Sequence, residues 1–350
     1  MSNRNEGKET KDIKEGAQKG KGVDIGTVFV KCAYTESDEI IFTSQRNAFF
    51  EVEYPGLTLT KRIFDDRKIK YVVKDNKLYV VGNNTLQFAS IFNKETRRPL
   101  TNGVISPTEE EALPIVELLI KSVVGEPRYQ DEVVYFSVPG EPLDTELNLM
   151  YHIKTIEGFL KTLGYTPKPI NEGLAVILSE LADKDFTGIG ISFGGGMVNV
   201  CVCFMSVPIF KFSVTRAGDW IDQQVAMTVD DAASRISAIK ESSLDLSKEK
   251  DLSKIENTLS IHYHHLIEYV IENIKQELNK AGGMRGVAKP ITIVLSGGTS
   301  LPKGFSHRFK QILEQLKLPV SVGEVRMAAQ PLSSVAKGAL IAARAEGDSL

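Results

Sequence analysis

An acid at the end of a short apolar run, followed at once by small residues, suits phosphate and metal chemistry, and Asp24-Ile25-Gly26-Thr27 has that pattern. The Asp24 carboxylate can hold a hydrated Mg2+, while the Gly26 and Thr27 amides and the Thr27 hydroxyl face phosphate oxygens. Lys31, on the returning strand, adds a point charge. The plainer reading of this segment is an ordinary hairpin turn, because Asp-x-Gly is common in turns. A second run, Gly194-Gly195-Gly196, follows an apolar stretch ending in Ser192-Phe193. Three consecutive glycines lose backbone entropy on folding, so they mark close approach or positive φ; the plainer reading is a bulged hairpin. The third segment, Leu295-Ser296-Gly297-Gly298-Thr299, reads as a strand, a glycine pair and a helix start. It suits packing against a flat nucleoside, and it is also the look of many strand-to-helix loops. One such turn means little. Three in one chain point to a nucleotide gripped from several sides.

These turns need strands to carry them, and strand-like and helix-like segments alternate along the chain, which argues for an α/β fold. Val23–Tyr34 reads as strand, turn and returning strand, and residues 47–92 are rich enough in strand signals for a small inserted lobe. Ser106-Pro107-Thr108-Glu109 has the cap, proline and acid of a helix start. Glu132 to Val138 is a strand stopped by Pro139-Gly140, and Asp144 can cap the helix that ends at Gly164. The second half repeats the logic. Thr187 to Val214 gives three strand-like runs, Asp219 can cap the next helix, and Ser253 with Glu256 forms a capping box. Gly282-Gly283 can end that helix. Ile291 to Leu295 is a buried strand, and Gly304 to Leu316 and Ser333 to Arg344 look helical. Each half opens with a strand, a glycine turn and a strand, a hint of duplication. The expected boundaries are a tail at 1–20, a first domain at 21–164, a second at 165–344 and a short tail at 345–350.

Composition excludes several classes. A net charge of -3 gives no support for general nucleic-acid binding. No apolar stretch approaches the roughly 20 residues of a membrane span, and no secretory signal opens the chain. Cys32, Cys201 and Cys203 lie in apolar strand-like runs and read as buried free thiols, which fits a reducing cytoplasm. His262, His264 and His265 lack the i, i+4 pairing of a helical zinc site and read as an exposed helix face.

The order and spacing of the three turns resemble the actin-like ATPase superfamily, most of all the bacterial actins of the MreB and MamK type. The likeness runs from about residue 21 to 344 and includes Pro99 to Ile105, Val138-Pro139, Asn171 to Ala175, Ala217 to Asp222 and Pro331 to Ala339. It implies a duplicated two-domain fold with ATP and Mg2+ in the cleft between the domains. It implies that Glu146 orients the attacking water; on spacing alone Glu146 is a first-turn helix acid. Lys240-Glu241 matches the helix that touches ribose and base, with a solvated helix pair as the plainer reading. Two departures stand out. The acid that usually precedes the second glycine run is Ser192 here, and Met197 replaces a hydroxyl residue after it. The short polar stretch from Ser242 to Leu252 stands where MreB-type proteins carry a strand-bearing lobe, so a reduced outer lobe is expected. The resemblance implies an ATP-binding protein that self-assembles into filaments, meets protein adaptors and hydrolyses ATP slowly. The alternative is a nucleotide-binding scaffold of the FtsA type with little turnover. A small-molecule kinase on the same fold lacks an inserted substrate-binding segment.

Overall fold

The computed structural model describes residues 19–53, 56, 58–282 and 289–347. Most of the expected tail at 1–20 lies outside them, as do Tyr54, Gly283 and residues 348–350. The chain begins with β1 (Lys21–Ile25), β2 (Phe29–Glu36) and β3 (Glu39–Arg46). A small lobe follows, made of β4 (Phe49–Glu53), α1 (Thr58–Asp66), β5 (Lys70–Lys74), β6 (Lys77–Val81) and α2 (Thr85–Phe92). Next come the two-residue strands β7 (Leu100–Thr101) and β8 (Val104–Ile105), then α3 (Ala112–Val124), β9 (Val133–Val138), α4 (Leu149–Thr162) and β10 (Thr166–Asn171). The second half holds α5 (Glu172–Glu180), β11 (Gly188–Phe193), β12 (Val198–Phe204), β13 (Val207–Val214), α6 (Gly218–Val229), α7 (Ala233–Ser242) and α8 (Lys254–Lys280). It closes with β14 (Ile291–Ser296), α9 (Phe305–Leu316), β15 (Val322–Met327) and α10 (Ser334–Gly347).

The two large sheets have one plan. The first runs β10-β9-β1-β2-β3 and the second β15-β14-β11-β12-β13. In each, the leading strand pairs antiparallel with its hairpin partner and parallel with a later strand. The duplication suspected from the two strand–turn–strand openings is thus a property of the fold. One face of the first sheet packs against α3 and α4, and one face of the second against α6, α8 and α9. Helices α10 and α5 fill the space between the sheets and touch each other. The approach is close: a Cβ on Gly22 would collide with the α10 backbone at Ala336 and Leu340, and one on Gly338 with the Ala175 carbonyl of α5.

Several expected boundaries move, each for a physical reason. Helix α3 starts at Ala112 rather than near Ser106, which puts Pro114 in its first turn, where no intrahelical bond is lost. Helix α4 starts at Leu149 with Asn148 as its cap. Asp144 is not that cap; its carboxylate accepts the Thr215 and Arg216 amides of the second half. Asp219 is not a cap either, since it lies in the first turn of α6 and pairs with Arg98. The boundary at 164 cuts off β10, which pairs in register with β9 in the first sheet. At the far end α10 runs through Glu346, which pairs with Lys168, so this residue is not part of a frayed tail. The Ser253–Glu256 capping box and the left-handed Gly164 behind α4 are as read. Residues 243–253 hold no strand; Leu244 and Leu246 are buried and Asp245 pairs with Lys303 at 2.9 Å.

One buried base is expected to make the fold acid-sensitive. His152 of α4 is 1% exposed and accepts the Ile105 amide through Nδ1. Burial pulls its pKa from 6.5 down to about 4. As pH falls through that window the unfolded chain takes up a proton that the folded chain refuses, so stability falls by roughly 3 kcal/mol. Denaturant unfolding at pH 7 and pH 4.5 is expected to show that loss, and His152→Gln should remove most of it. An unchanged pH difference in the variant would refute the assignment.

Candidate functional site

The first turn is shaped by its neighbours. The Gly26 amide donates to the Phe29 carbonyl at 3.0 Å, and the Asn47 side chain donates to the Gly26 carbonyl at 2.8 Å. Asp24 accepts the Ser137 hydroxyl of β9 at 3.0 Å. In the second turn the Gly194 amide donates to the Met197 carbonyl, and the Gly194 carbonyl accepts both the Gly218 amide and the Thr299 hydroxyl. In the third, Gly297 has φ of 91° and packs where a Cβ would strike the Phe193 backbone. That close approach and that backbone angle are why glycine stands there.

All three turns open on one cavity of about 570 Å3 between the two sheets. Asp24, Gly26, Thr27, Lys31, Ser192, Gly194, Gly195, Gly196, Lys240, Glu241, Gly297, Gly298 and Thr299 all line it. Glu146 does not. It lies exposed on the irregular segment before α4, and so it is neither brought to the cavity nor placed in a first helical turn. Lys240 lines the wall with its ammonium already engaged, donating to Asp222 at 2.7 Å and to the Gly218 carbonyl at 2.9 Å.

The sequence reading did not place Glu172, Arg46, Arg98 or Asp219 at this cavity, and all four line it. Glu172 lines the cavity and accepts the Ser192 hydroxyl at 2.9 Å, so Ser192 supplies a donor where the resemblance expects a carboxylate. Arg98 and Asp219 form an ion pair across the cleft at 2.8 Å. Arg46 lines the cavity beside Phe29. Met197, 3% exposed, packs against Gly103 of the β7–β8 turn, whose amide donates to the Thr27 hydroxyl at 3.2 Å. Glu172 carries a local signal, as the acid directly after a helix cap, and Asp219 carries one as an acid beside a helix start. The others meet through the tertiary fold.

Electrostatics suit a cation and phosphates. Burial raises the Asp24 pKa above the usual carboxylate range, against the pull of Lys31. Glu172 is pushed up to about 8, by burial first and then by the charge of Asp24. The charge of Asp24 thus reaches Glu172, and two neighbouring carboxyls of this kind could supply oxygens to a divalent cation. Among the described residues no three acidic, His or Cys side chains gather as a metal cage. A cation held by Asp24 and Glu172 would therefore complete its shell with water and phosphate oxygens, as Mg2+ commonly does. Burial lowers the Lys31 pKa, and its ammonium donates to the Leu332 carbonyl on the opposite wall.

Two sheets of one plan with a cleft between them, walled by three glycine turns, define the actin-like ATPase fold. The match to solved structures agrees. MamK, solved as a double helical filament, aligns with a TM-score of 0.70 at 17% identity, covering 92% of this chain and 98% of that one. MreB5 of Spiroplasma citri bound to ADP aligns at 0.66 and 15% identity, covering 95% and 98%. The ethanolamine utilization protein EutJ from Carboxydothermus hydrogenoformans aligns at 0.54 and 14% identity, covering 95% and 92%. At these identities the likeness is one of fold. The chain belongs to the Volactin family, whose model matches residues 20–343. Comparison with curated proteins finds no match. Among the described residues no helix is long and apolar enough to cross a membrane.

Proposed function

We infer that this chain binds ATP with Mg2+ in its interdomain cleft and self-assembles into cytoplasmic filaments, hydrolysing ATP slowly. The observation that carries the reading is the convergence of three separated glycine turns, an acid pair and Lys31 on one cavity. The similar folds of MamK, solved as a filament, and of MreB5, solved with ADP, support it. Mg2+ would neutralise phosphate charge, and Asp24 and Glu172 would orient its waters. Gly26, Thr27 and the second glycine turn would offer backbone amides to the phosphates. The wall formed by Glu241, Leu301 and Pro302 would face the nucleoside. Sedimentation with ATP, ADP, no nucleotide and ATP plus a chelator, with phosphate release followed in the same tubes, tests this. Pelleting that requires ATP and Mg2+ is expected; monomers at every concentration would sink the filament reading.

A scaffold with little turnover is the second reading, and a specific contact favours it. Ser192 and Met197 stand where the resemblance expects an acid and a hydroxyl, with Met197 buried against Gly103. The double change Ser192→Asp with Met197→Thr is expected to raise phosphate release by about tenfold or more, because charge-positioning groups act together. A wild-type rate already typical of an ATPase, unmoved by the double change, would exclude the scaffold.

A further inference from the structure

Where the chain leaves β9, the two domains are joined largely by backbone. The Gly140 amide donates to the Asn199 side chain at 2.8 Å, the Ser213 amide to the Glu141 carbonyl at 2.9 Å and the Leu143 amide to the Ser213 carbonyl at 3.0 Å. A different kind of contact crosses the cleft at the cavity itself. There Arg98 of the first domain donates from Nη1 to both carboxylate oxygens of Asp219 in the second, at 2.8 and 2.9 Å. Both residues line the cavity.

Each partner is moored to a different glycine turn. Arg98 follows Arg97, whose amide and carbonyl both bond the Phe49 backbone at 2.9 Å, and precedes Pro99, whose carbonyl accepts the Ser106 amide at 2.9 Å. Further along the same stretch, the Gly103 amide donates to the Thr27 hydroxyl of the first turn at 3.2 Å. Asp219 is fixed to the second turn. Its amide donates to the Gly195 carbonyl at 2.8 Å, and a Cβ built on Gly195 would lie 3.5 Å from its Oδ1. The ion pair therefore spans the two turns that would share one set of phosphates. Its charge balance matters as much as its span. An unpaired carboxylate beside Gly195 would oppose phosphate at that turn, and the Arg98 guanidinium cancels it. The two side chains are 32% and 28% exposed, so solvent screens the pair and leaves it a bias rather than a lock. A bias suits a cleft that must also release its ligand.

We propose that Arg98 and Asp219 are a positioning pair that draws the first and second glycine turns together on a bound nucleotide and slows its escape. The assignment rests on the nucleotide reading above and adds to it a control on ligand release. Both residues act through the turns they are moored to, Arg98 through the stretch that supports Thr27 and Asp219 through Gly195. Breaking the pair leaves each domain's own packing intact, since the bond runs between the domains.

The test follows release of a fluorescent ADP from the full chain, chased with excess ADP in the presence of Mg2+. Wild type is compared with Arg98→Ala, Asp219→Ala, the double variant and Arg98→Lys. Release is expected to quicken about fivefold in Arg98→Ala and about threefold in Asp219→Ala. The double variant should release no faster than Arg98→Ala, because the second change removes a partner already lost. Arg98→Lys should recover about half of the change or more, since it keeps the charge. Unchanged or slower release in Asp219→Ala would show Arg98 acting on phosphate by itself and overturns the pair. Additive effects in the double variant, or no recovery in Arg98→Lys, overturn it too. Melting of the ligand-free variants shows whether they fold, and Arg98→Gln takes the place of Arg98→Ala should the latter fail. If wild type binds no ADP, the nucleotide reading falls and this assignment with it. If wild type binds ADP and every variant releases it at the wild-type rate, only the Arg98–Asp219 assignment falls.

Discussion

A chain carrying Gly338→Val is expected to lose about 4 kcal/mol of stability or more, a large part of a typical net stability. Gly338 lies in the first half of α10, and its missing side chain is what lets α10 cross α5. A Cβ built there would overlap the Ala175 carbonyl oxygen, with the carbonyl carbon at 2.5 Å and Cα at 2.8 Å. All three are backbone atoms of a helix wedged between two sheets, so the overlap has no cheap relief. Propensity argues the other way, because removing glycine from a helix interior favours the helix by at most about 1 kcal/mol. Overpacking should win, and the sign of the change decides between the two effects. Gly158 of α4 is the control: nothing lies within 4 Å of a Cβ built on it, so Gly158→Ala is expected to stabilise by about 0.5–1 kcal/mol. Urea unfolding of both variants measures the contrast. A Gly338→Val loss below about 1 kcal/mol would mean that the helices do not cross at this distance.

The same crossing shows why some of the molecule was legible in the sequence and some was not. Glycine turns at strand ends are local events, set by backbone angles and by the apolar runs before them, so Asp24 to Thr27, Gly194 to Gly196 and Gly297 to Thr299 could be read one at a time. Helical spacing and the capping box at Ser253 are equally local. Helix starts were less legible, because an acid such as Asp144 or Asp219 caps a helix only if no better partner is offered. Here the Thr215 amide and the Arg98 guanidinium, each from the opposite domain, are those partners. Glu172, Arg46 and Arg98 reach the cavity from different elements, and the sheet order that gathers them is not written in any single segment. Glu146 shows the reverse case. Its spacing matches the resemblance, but the chain between Pro142 and Asn148 leaves it exposed.

Gly196→Val is expected to abolish tight nucleotide binding while leaving both domains folded. A Cβ on Gly196 would collide with the Thr27 hydroxyl, lie 2.7 Å from the Gly103 amide and stand 3.1 Å from the Thr27 Cβ. Thr27 and Gly103 belong to the first domain and Gly196 to the second, so the collision lies between domains rather than within a core. Moving the domains apart relieves it at small cost, since contacts across a cleft are softer than the packing inside each half. That movement separates the two turns that would share one set of phosphates, and their amides could no longer reach a single ligand together. Affinity for ADP is expected to fall about 100-fold or more, near 2.7 kcal/mol, with unfolding free energy within about 1 kcal/mol of wild type. Gly195→Ala is the comparison, because its nearest obstacle is the Val28 side chain at 2.6 Å, which can rotate away. It should lose less than about tenfold. Calorimetric titration of both variants with ADP and Mg2+ separates the outcomes. Full affinity in Gly196→Val would show that the first and second glycine turns do not act on the same ligand, and the proposed site would fail at its centre.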